Sequence, residues 1–300
     1  MKFGITPINL DNFVGSVKDP KGGLNLLRFD YCEIVLDGIK RGYKHIELTL
    51  DLKYILPASF KKKIVEGLKF IKEKHKISYS VHFPLWAIEP SCPNRFIRKA
   101  STDCLIDTVE TVRQLDPEVY VLHASGALAA EFSRMAIPDQ YKGVVMGLFA
   151  DNGVKAIKRL VRETDLDPTK LALETIEFPL EKTLDQIKRV RGSKMCIDTG
   201  HVLAKYPGDF DLVELANDYL DITGEIHLHD GFHIPNDKGG YQINDHIALG
   251  EGNLPVEFLK VLHEKDFQGP VVFELSFEQA KRSLEFIKKN VPEIEIELIG

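Results

Sequence analysis

The chain is short of the features that mark several protein classes. It carries four cysteines in 300 residues, Cys32, Cys92, Cys104 and Cys196, with no C-x-x-C pair. That pattern reads as reduced, mostly buried thiols of a cytosolic protein. No run of 18 apolar residues occurs, so no membrane-spanning helix is expected. The opening MKFGITPINL has one lysine and an apolar stretch broken by Pro7, too short for a secretory signal core. The expected location is cytoplasmic. Basic residues are outnumbered, 39 against 45 acidic ones, for a formal net charge of −6. Affinity for nucleic acid rests largely on Lys and Arg against phosphates, so this balance opposes a general polyanion binder while leaving room for a local basic groove. Neither G-x-G-x-x-G nor G-x-x-x-x-G-K-[ST] follows the first predicted strand, so the usual ligand signature of an open doubly wound sheet is missing.

What is present is an alternation of short apolar runs with longer helical patterns. The strand candidates are KFGIT from Lys2, YKHIELTL from Tyr43, ISYSVHF from Ile77, EVYVLHA from Glu118, KLALETI from Lys170, KMCIDTG from Lys194, EIHLHDG from Glu225 and GPVVFEL from Gly269. Their Val, Ile, Leu and Tyr content suits strands buried on both faces. Between them, Phe60, Ile64, Leu68 and Ile71 share one helical face, and Leu105, Val109 and Val112 another. Asn253 is placed to cap VEFLKVLHEK and Ser276 to cap EQAKRSLEFIKKN. Eight strand–helix units in strict order predict an α/β fold, a single-domain (β/α)8 barrel over residues 1–300. The tail VPEIEIELIG, residues 291–300, reads as an extra edge strand or an oligomer contact, which leaves a homo-oligomer open.

In such a barrel the functional residues sit at the C-terminal ends of the strands. Here those ends carry Glu47, His82, His123, Glu174, Asp198 with His201, His227 with His229, and Glu274, and the loop after the seventh strand adds Asn244, Asp245 and His246. Taken singly, each is most simply a hydrogen-bonded residue. Together, Glu174, Asp198 and Glu274 converging with several imidazoles would repel and desolvate one another. A divalent cation (Zn, Mn or Fe) removes that conflict by neutralising carboxylates and accepting neutral imidazole nitrogens. Other residues fall outside this pattern. His75 and His263 lie in charged helix segments, His45 reads as a core residue, Lys61–Lys63 as a solvated helix face and His233 as part of a polar loop.

The motifs VHFP, VLHASG, LALETIE, CIDTGH, IHLHDG, DHIALGEGN and VVFEL, in this order and at strand ends, resemble the xylose isomerase-like TIM-barrel superfamily, which includes sugar epimerases and endonuclease IV-type repair enzymes. The resemblance implies a metal core of Glu174, Asp198, His227 and Glu274. It implies a second site through His82 and His123, with Glu174 bridging, in the endonuclease-type members. A third would use His201 and a D-x-H pair that here reads Asn244-Asp245-His246, so Asp245 or Asp230 would have to replace the missing aspartate. The strand-one FGITPINLDN, the HASG turn and the Glu-Thr of strand five depart from the repair enzymes, whereas the metal cluster is kept.

Two enzymatic readings follow. In the first, a metal-dependent isomerase or epimerase acts on a sugar, sugar phosphate or related polyol. Glu174 and Glu274 exchange a proton with a carbon, His201, His229, Glu47 and Trp86 hold the substrate, and His246 joins the metal ligands. Trp86 and Phe83 could stack on a sugar face or pack the loop, and the LGEG glycines could offer amides to a phosphate. In the second, two or three metals serve an endonuclease IV-type phosphodiesterase acting on abasic-site DNA. A third reading is a barrel that binds a metal-chelated small molecule without turnover.

Overall fold

The computed structural model describes residues 1–300 except 9, 20, 57, 237–239 and 297–300. Eight parallel strands close into a barrel: β1 (Lys2–Ile5), β2 (His45–Thr49), β3 (Ser78–His82), β4 (Val119–Leu122), β5 (Leu171–Glu174), β6 (Lys194–Asp198) and β7 (Thr223–His227). After an antiparallel hairpin of β8 (Asp230–Pro235) and β9 (Tyr241–Ile247), β10 (Pro270–Phe273) completes it. Barrel neighbours follow chain order, and β1 closes the ring with Lys2–Ile5 opposite Pro270–Phe273.

Successive side chains on a strand point to opposite faces, and that alternation sorts this chain by chemistry. Phe3, Ile5, Ile46, Leu48, Tyr79, Val81, Leu171, Leu173, Met195, Ile197, Ile226, Val271 and Phe273 all belong to one buried apolar cluster shared with the surrounding helices. On five strands the intervening residues are polar or small, namely His45 and Glu47, Ser80 and His82, Ala172 and Glu174, Cys196 and Asp198, Glu225 and His227, while Val119 and Val121 of β4 join Ala172 and Cys196 in a small apolar cluster. The expectation of strands apolar on both faces therefore needs correcting. Only the outward face is uniformly apolar, and polar groups that pair with one another occupy much of the interior. His45 is fully buried between the hydroxyls of Ser78 (2.8 Å) and Ser80 (3.0 Å), the core role expected of it.

The helices follow from the same patterning. In Lys62–His75 the buried residues are Val65, Leu68 and Ile71, with Lys61–Lys63 exposed. Ser276 forms a full capping box with Gln279 at the start of Phe277–Asn290. The helix Val256–Glu264 starts one residue after Pro255, and Asn253 does not cap it. The Asn253 backbone N–H donates instead to the Gly231 carbonyl at 3.0 Å, which ties the strand-end loop to the hairpin. Past Asn290, Val291 and Ile294 are buried without forming a strand up to residue 296, so no edge strand exists there; residues 297–300 lie outside the described ones. No helix among the described residues is long and apolar enough to cross a membrane.

The β8–β9 hairpin occupies the stretch expected as the loop after the seventh strand. Its base is held by Asp230, which is fully buried. Oδ1 accepts the N–H groups of Gly231 and Leu254, both at 2.8 Å, and Oδ2 those of Gly250 (2.8 Å) and Gly252 (3.0 Å). The two glycine amides expected to meet a phosphate are therefore spent on Asp230, which is also unavailable as a metal ligand. Asp230→Asn turns one acceptor oxygen into a donor facing two backbone N–H groups. A loss of about 2–5 kcal/mol in urea unfolding is expected, and a loss below about 1 kcal/mol would contradict this assignment.

Candidate metal centre

The barrel strands end where their last inward residues meet. Glu174, Asp198, His227 and His82 are the final residues of β5, β6, β7 and β3, while His123 and Glu274 lie one residue beyond β4 and β10. Glu174 is the hub, 2% exposed. Its Oε2 lies 2.8 Å from His123 Nε2 and 3.2 Å from His82 Nε2, and its Oε1 lies 3.3 Å from His201 Nδ1 and 3.6 Å from His227 Nδ1. His227 Nδ1 also faces Glu274 Oε2 at 3.5 Å and Asp198 Oδ2 at 3.8 Å.

Hydrogen bonds outside the cluster set the orientation of several rings. His227 Nε2 approaches Glu47 Oε2 at 3.3 Å, His82 Nδ1 the Phe83 carbonyl at 2.8 Å and His201 Nδ1 the Thr175 carbonyl at 3.0 Å. In His82 and His227 the nitrogen not engaged by that acceptor is turned toward Glu174, the arrangement metal-binding histidines use, whereas His201 shows the same Nδ1 to the Thr175 carbonyl and to Glu174. For His227 the consequence is direct. Its Nδ1 is buried without a hydrogen-bond partner while three carboxylates surround it.

One potential ligand atom from each of Glu174, Asp198, His227 and Glu274 lies within 4.8 Å of the others, and the same holds for His82, His123 and Glu174, and for His201, Asp245 and His246. These donor sets fit divalent cations. The third set answers the question left by Asn244, which is exposed, whereas Asp245 is partly buried with Oδ1 3.1 Å from His246 Nδ1. His246 has φ +51, a left-handed kink that breaks the alternation of β9.

Three expected substrate contacts lie elsewhere. β2 runs two residues past Glu47, which leaves that carboxylate fully buried one layer below the mouth, accepting from Thr6 Oγ1 at 2.9 Å and facing His227. His229 is also fully buried. Its Nδ1 accepts the His246 backbone N–H (2.9 Å), so its Nε2–H donates to Asp198 Oδ2 (2.9 Å), and the ring positions Asp198 rather than a sugar hydroxyl. A Cβ on Gly200 would stand 2.1 Å from His229 Nδ1, which explains a glycine in CIDTGH. Phe83 packs in the core against Tyr120 at 5.6 Å. Trp86 is 65% exposed and borders a cavity of about 390 Å³ together with His82, His123, Glu174, His201, His246 and Glu274. A second cavity of about 330 Å³ adjoins it through Leu85, Trp86, His123 and His201 and reaches Glu177 and Tyr206. A larger hollow of about 770 Å³ lies at the opposite barrel end, among five lysines that include Lys2 and Lys170, and holds none of these groups. The His233 ring packs tilted against Tyr241, centroids 4.2 Å apart, and lines neither mouth cavity.

Charges and hydrogen bonds in the cluster oppose burial. Burial disfavours charge on His82, but the hydrogen bond and charge of Glu174 raise its pKa to about 10. Against burial, Asp198 and Glu174 raise His201 to about 9, and the hydrogen bonds to Asp245 and Glu274 raise His246 to about 11. Burial pushes Glu174 upward, yet the charges of His123 and His227 hold it well below the usual carboxylate range. Glu274 is likewise lowered, against burial, by His227 and His246.

A family description, xylose isomerase-like TIM barrel, matches residues 39–290. An uncharacterized protein of Methanocaldococcus jannaschii is 25% identical over 273 residues, covering 87% of this chain and 80% of that one. Among solved structures, a D-psicose 3-epimerase from Clostridium cellulolyticum H10 superposes with a TM-score of 0.66 at 16% identity, covering 97% of this chain and 99% of the other. Endonuclease IV from Thermus thermophilus does so with a TM-score of 0.63 at 14% identity, covering 98% and 100%. The two likenesses concern the fold.

A pH dependence follows from the raised imidazoles. Their native pKa values stand above the roughly 6.5 of an unfolded histidine, so without a cation the folded protein holds protons that the unfolded chain has released. That stabilisation is complete below about pH 6.5 and is lost as pH rises through the values of about 9 to 11. A bound cation replaces those protons. Urea unfolding of chelator-treated protein should show a midpoint that falls between pH 6 and 10, whereas Zn- or Mn-loaded protein should not. Parallel curves for the two would contradict the assignment.

Proposed function

The chain belongs to the xylose isomerase-like TIM-barrel family, and from that premise we propose that it is a divalent-metal-dependent isomerase or epimerase of a sugar or related polyol. One observation carries the reading: a buried imidazole nitrogen without a partner, His227 Nδ1, faces Glu174, Asp198 and Glu274 at the floor of a cavity that two of those carboxylates line. A divalent cation held by these four residues supplies Lewis acidity toward a substrate carbonyl.

The protein's own residues do the rest. Glu174 at the end of β5 and Glu274 just beyond β10 line one cavity, where one carboxylate takes a proton from the carbon beside the carbonyl and the other returns it. Glu47 fixes the His227 ring and His229 fixes Asp198, so neither floor group turns away when substrate arrives. His201 borders both cavities, within reach of a hydroxyl. Trp86 offers an exposed aromatic face to the apolar side of a sugar ring or chain.

The cavity lining favours an uncharged substrate over a phosphorylated one. No Lys or Arg lines either mouth cavity among the described residues, and Arg134, beside the second, is paired with both oxygens of Glu177 at 2.7 and 2.8 Å. The second reading, an endonuclease IV-type phosphodiesterase, draws support from the His82–His123–Glu174 cluster, for which a one-metal epimerase has no evident need. The same missing cations weigh against it, because phosphate backbones are bound mainly through Lys and Arg.

Reaction class is tested with Mn-loaded enzyme in deuterated water, on a panel of ketoses and ketose phosphates and, separately, on abasic-site duplex DNA. Deuterium uptake at carbon in a free ketose, reduced at least a hundredfold by Glu174→Gln, is expected. Nicking of the DNA abolished by Glu174→Gln, with no exchange in any sugar, would reverse the assignment.

A further inference from the structure

The second mouth cavity, of about 330 Å³, has no part in the chemistry at the floor, yet the segments around it are fastened in place. Asp51, buried just past β2, accepts the Leu85 and Trp86 amides at Oδ1, both at 3.0 Å, which fixes the turn after β3. Glu89, also buried, collects the start of the helix Ala127–Arg134: Oε1 takes the Gly126 amide at 2.7 Å and Oε2 the Leu128 amide at 2.9 Å. The same helix ends on Arg134, whose guanidinium meets both oxygens of Glu177 at 2.7 and 2.8 Å. Ile176 belongs to an apolar cluster separate from the main core, with Ala129, Met146, Phe149, Ala150 and Phe178. Burying a carboxylate carries a desolvation cost. Two of them committed to the turn and the helix start give this hollow a shape fixed before any ligand arrives, which lowers the cost of binding.

Glu174 and Glu274 line only the first cavity. A free ketohexose fits there alone: at about 30 Å³ per heavy atom, the share of a water molecule in the liquid, its dozen heavy atoms need at most roughly 360 Å³, and the first cavity offers about 390 Å³. The second cavity is then left over. It shares four residues with the first, His123 and His201, which both meet Glu174, and Leu85 and the exposed Trp86. A group attached to the reacting sugar reaches it along these shared side chains. Its lining decides what that group is. Leu85, Trp86, Ala127, Ala130 and Ile176 offer apolar surface to the C–H face of a ring, and Glu177 and Tyr206 offer polar groups to hydroxyls at its edge. The Tyr206 ring packs against His201 with centroids 5.4 Å apart. No Lys or Arg lines the cavity among the described residues, so a phosphate finds no counter-charge there.

We propose that the second cavity is the binding site for the second ring of a neutral two-ring substrate, a ketose carrying a glycosyl group. The ketose part occupies the first cavity beside Glu174 and Glu274, and the glycosyl part packs against Trp86 and Ile176. This rests on the isomerase or epimerase reading for the chemistry of the ketose part, whereas binding of the second ring stands separately. Contacts made to a remote, unreacting part of a substrate supply binding energy that helps to position the reacting carbon.

The test compares one ring with two. Mn-loaded enzyme is titrated calorimetrically with D-fructose and with isomaltulose, maltulose and lactulose, which are fructose carrying a second sugar ring, and deuterium uptake at carbon is followed in parallel. At least one of the three disaccharides should bind tenfold or more tighter than fructose. Ala127→Trp and Ala130→Leu each add bulk to the wall of the second cavity, and each should cut that ratio at least fivefold, with melting temperature and metal content as controls. The wild-type comparison needs no variant, so it decides the matter even if A130L folds poorly. A ratio below tenfold for every disaccharide, or one that survives both variants, overturns the proposal, and exchange into fructose then leaves the isomerase reading standing. A disaccharide bound with the expected ratio, but with no exchange in any of the four sugars, keeps the site and removes the isomerase reading. Binding of none of the four overturns both.

Discussion

The structure is organised around the cost of keeping like charges together out of water. Glu174, Asp198 and Glu274 all approach one imidazole nitrogen within 3.8 Å, and Glu174 and Asp198 are almost wholly buried. Two unit charges about 4 Å apart repel by about 4 kcal/mol at an effective dielectric of about 20, and each buried carboxylate adds a desolvation cost. Protons on His82, His201 and His246 offset part of this, as their raised pKa values record. They do so at the periphery. His227 stands at the centre, where, against burial, the acidic groups around it, Cys196 and Glu274 foremost, raise its pKa well above the ordinary imidazole value. A divalent cation that displaced its proton would meet Nδ1 and the three carboxylates at once.

The rest of the fold serves that convergence. Outward apolar residues on every barrel strand pack against the helices, which frees the interior for the polar layer of His45, Ser80, Glu47 and Glu225 beneath the floor. This layer is coupled to the candidate metal centre through Glu47 and His227 at 3.3 Å. Glu225 lies beneath it, its pKa raised well above the ordinary value by burial and by the neighbouring Glu47, which favours its neutral form. Above the floor, Asp51 and Asp230 use their carboxylates to collect backbone amides from loops, and Glu89 collects those at the start of the helix Ala127–Arg134. A loop held this way can present a side chain such as Trp86 without a helix or strand behind it.

Much of this was legible in the amino-acid order. Seven barrel strands lie within the apolar runs that placed them, and β7 starts two residues before its run, whose end belongs to β8; strand existence depends on local patterning that the sequence displays directly. The convergence of the floor residues was legible for the same reason, since the last residues of barrel strands meet at one mouth. What escaped depended on a single residue of register or on distant partners. Glu47 looked like a mouth residue, and two further residues of β2 bury it. His229 was legible as polar but not as a buried support, since that role follows from the His246 amide 17 positions away. Asp245 could replace the missing aspartate only through the left-handed backbone of His246, and Asp51, set beyond the end of β2, carried no sequence signal beyond its type. The hairpin of β8 and β9 had a visible cue in the NDKGG segment between two alternating stretches, of which residues 237–239 lie outside the described ones.

The metal content of the purified protein is the most direct test of the claim that Glu174, Asp198, His227 and Glu274 form a cation site. After loading with Zn or Mn and exhaustive dialysis, elemental analysis should find at least one divalent ion retained per folded chain, and His227→Ala should lose it. Wild-type protein that is folded by circular dichroism and retains no ion after the same treatment would contradict the account.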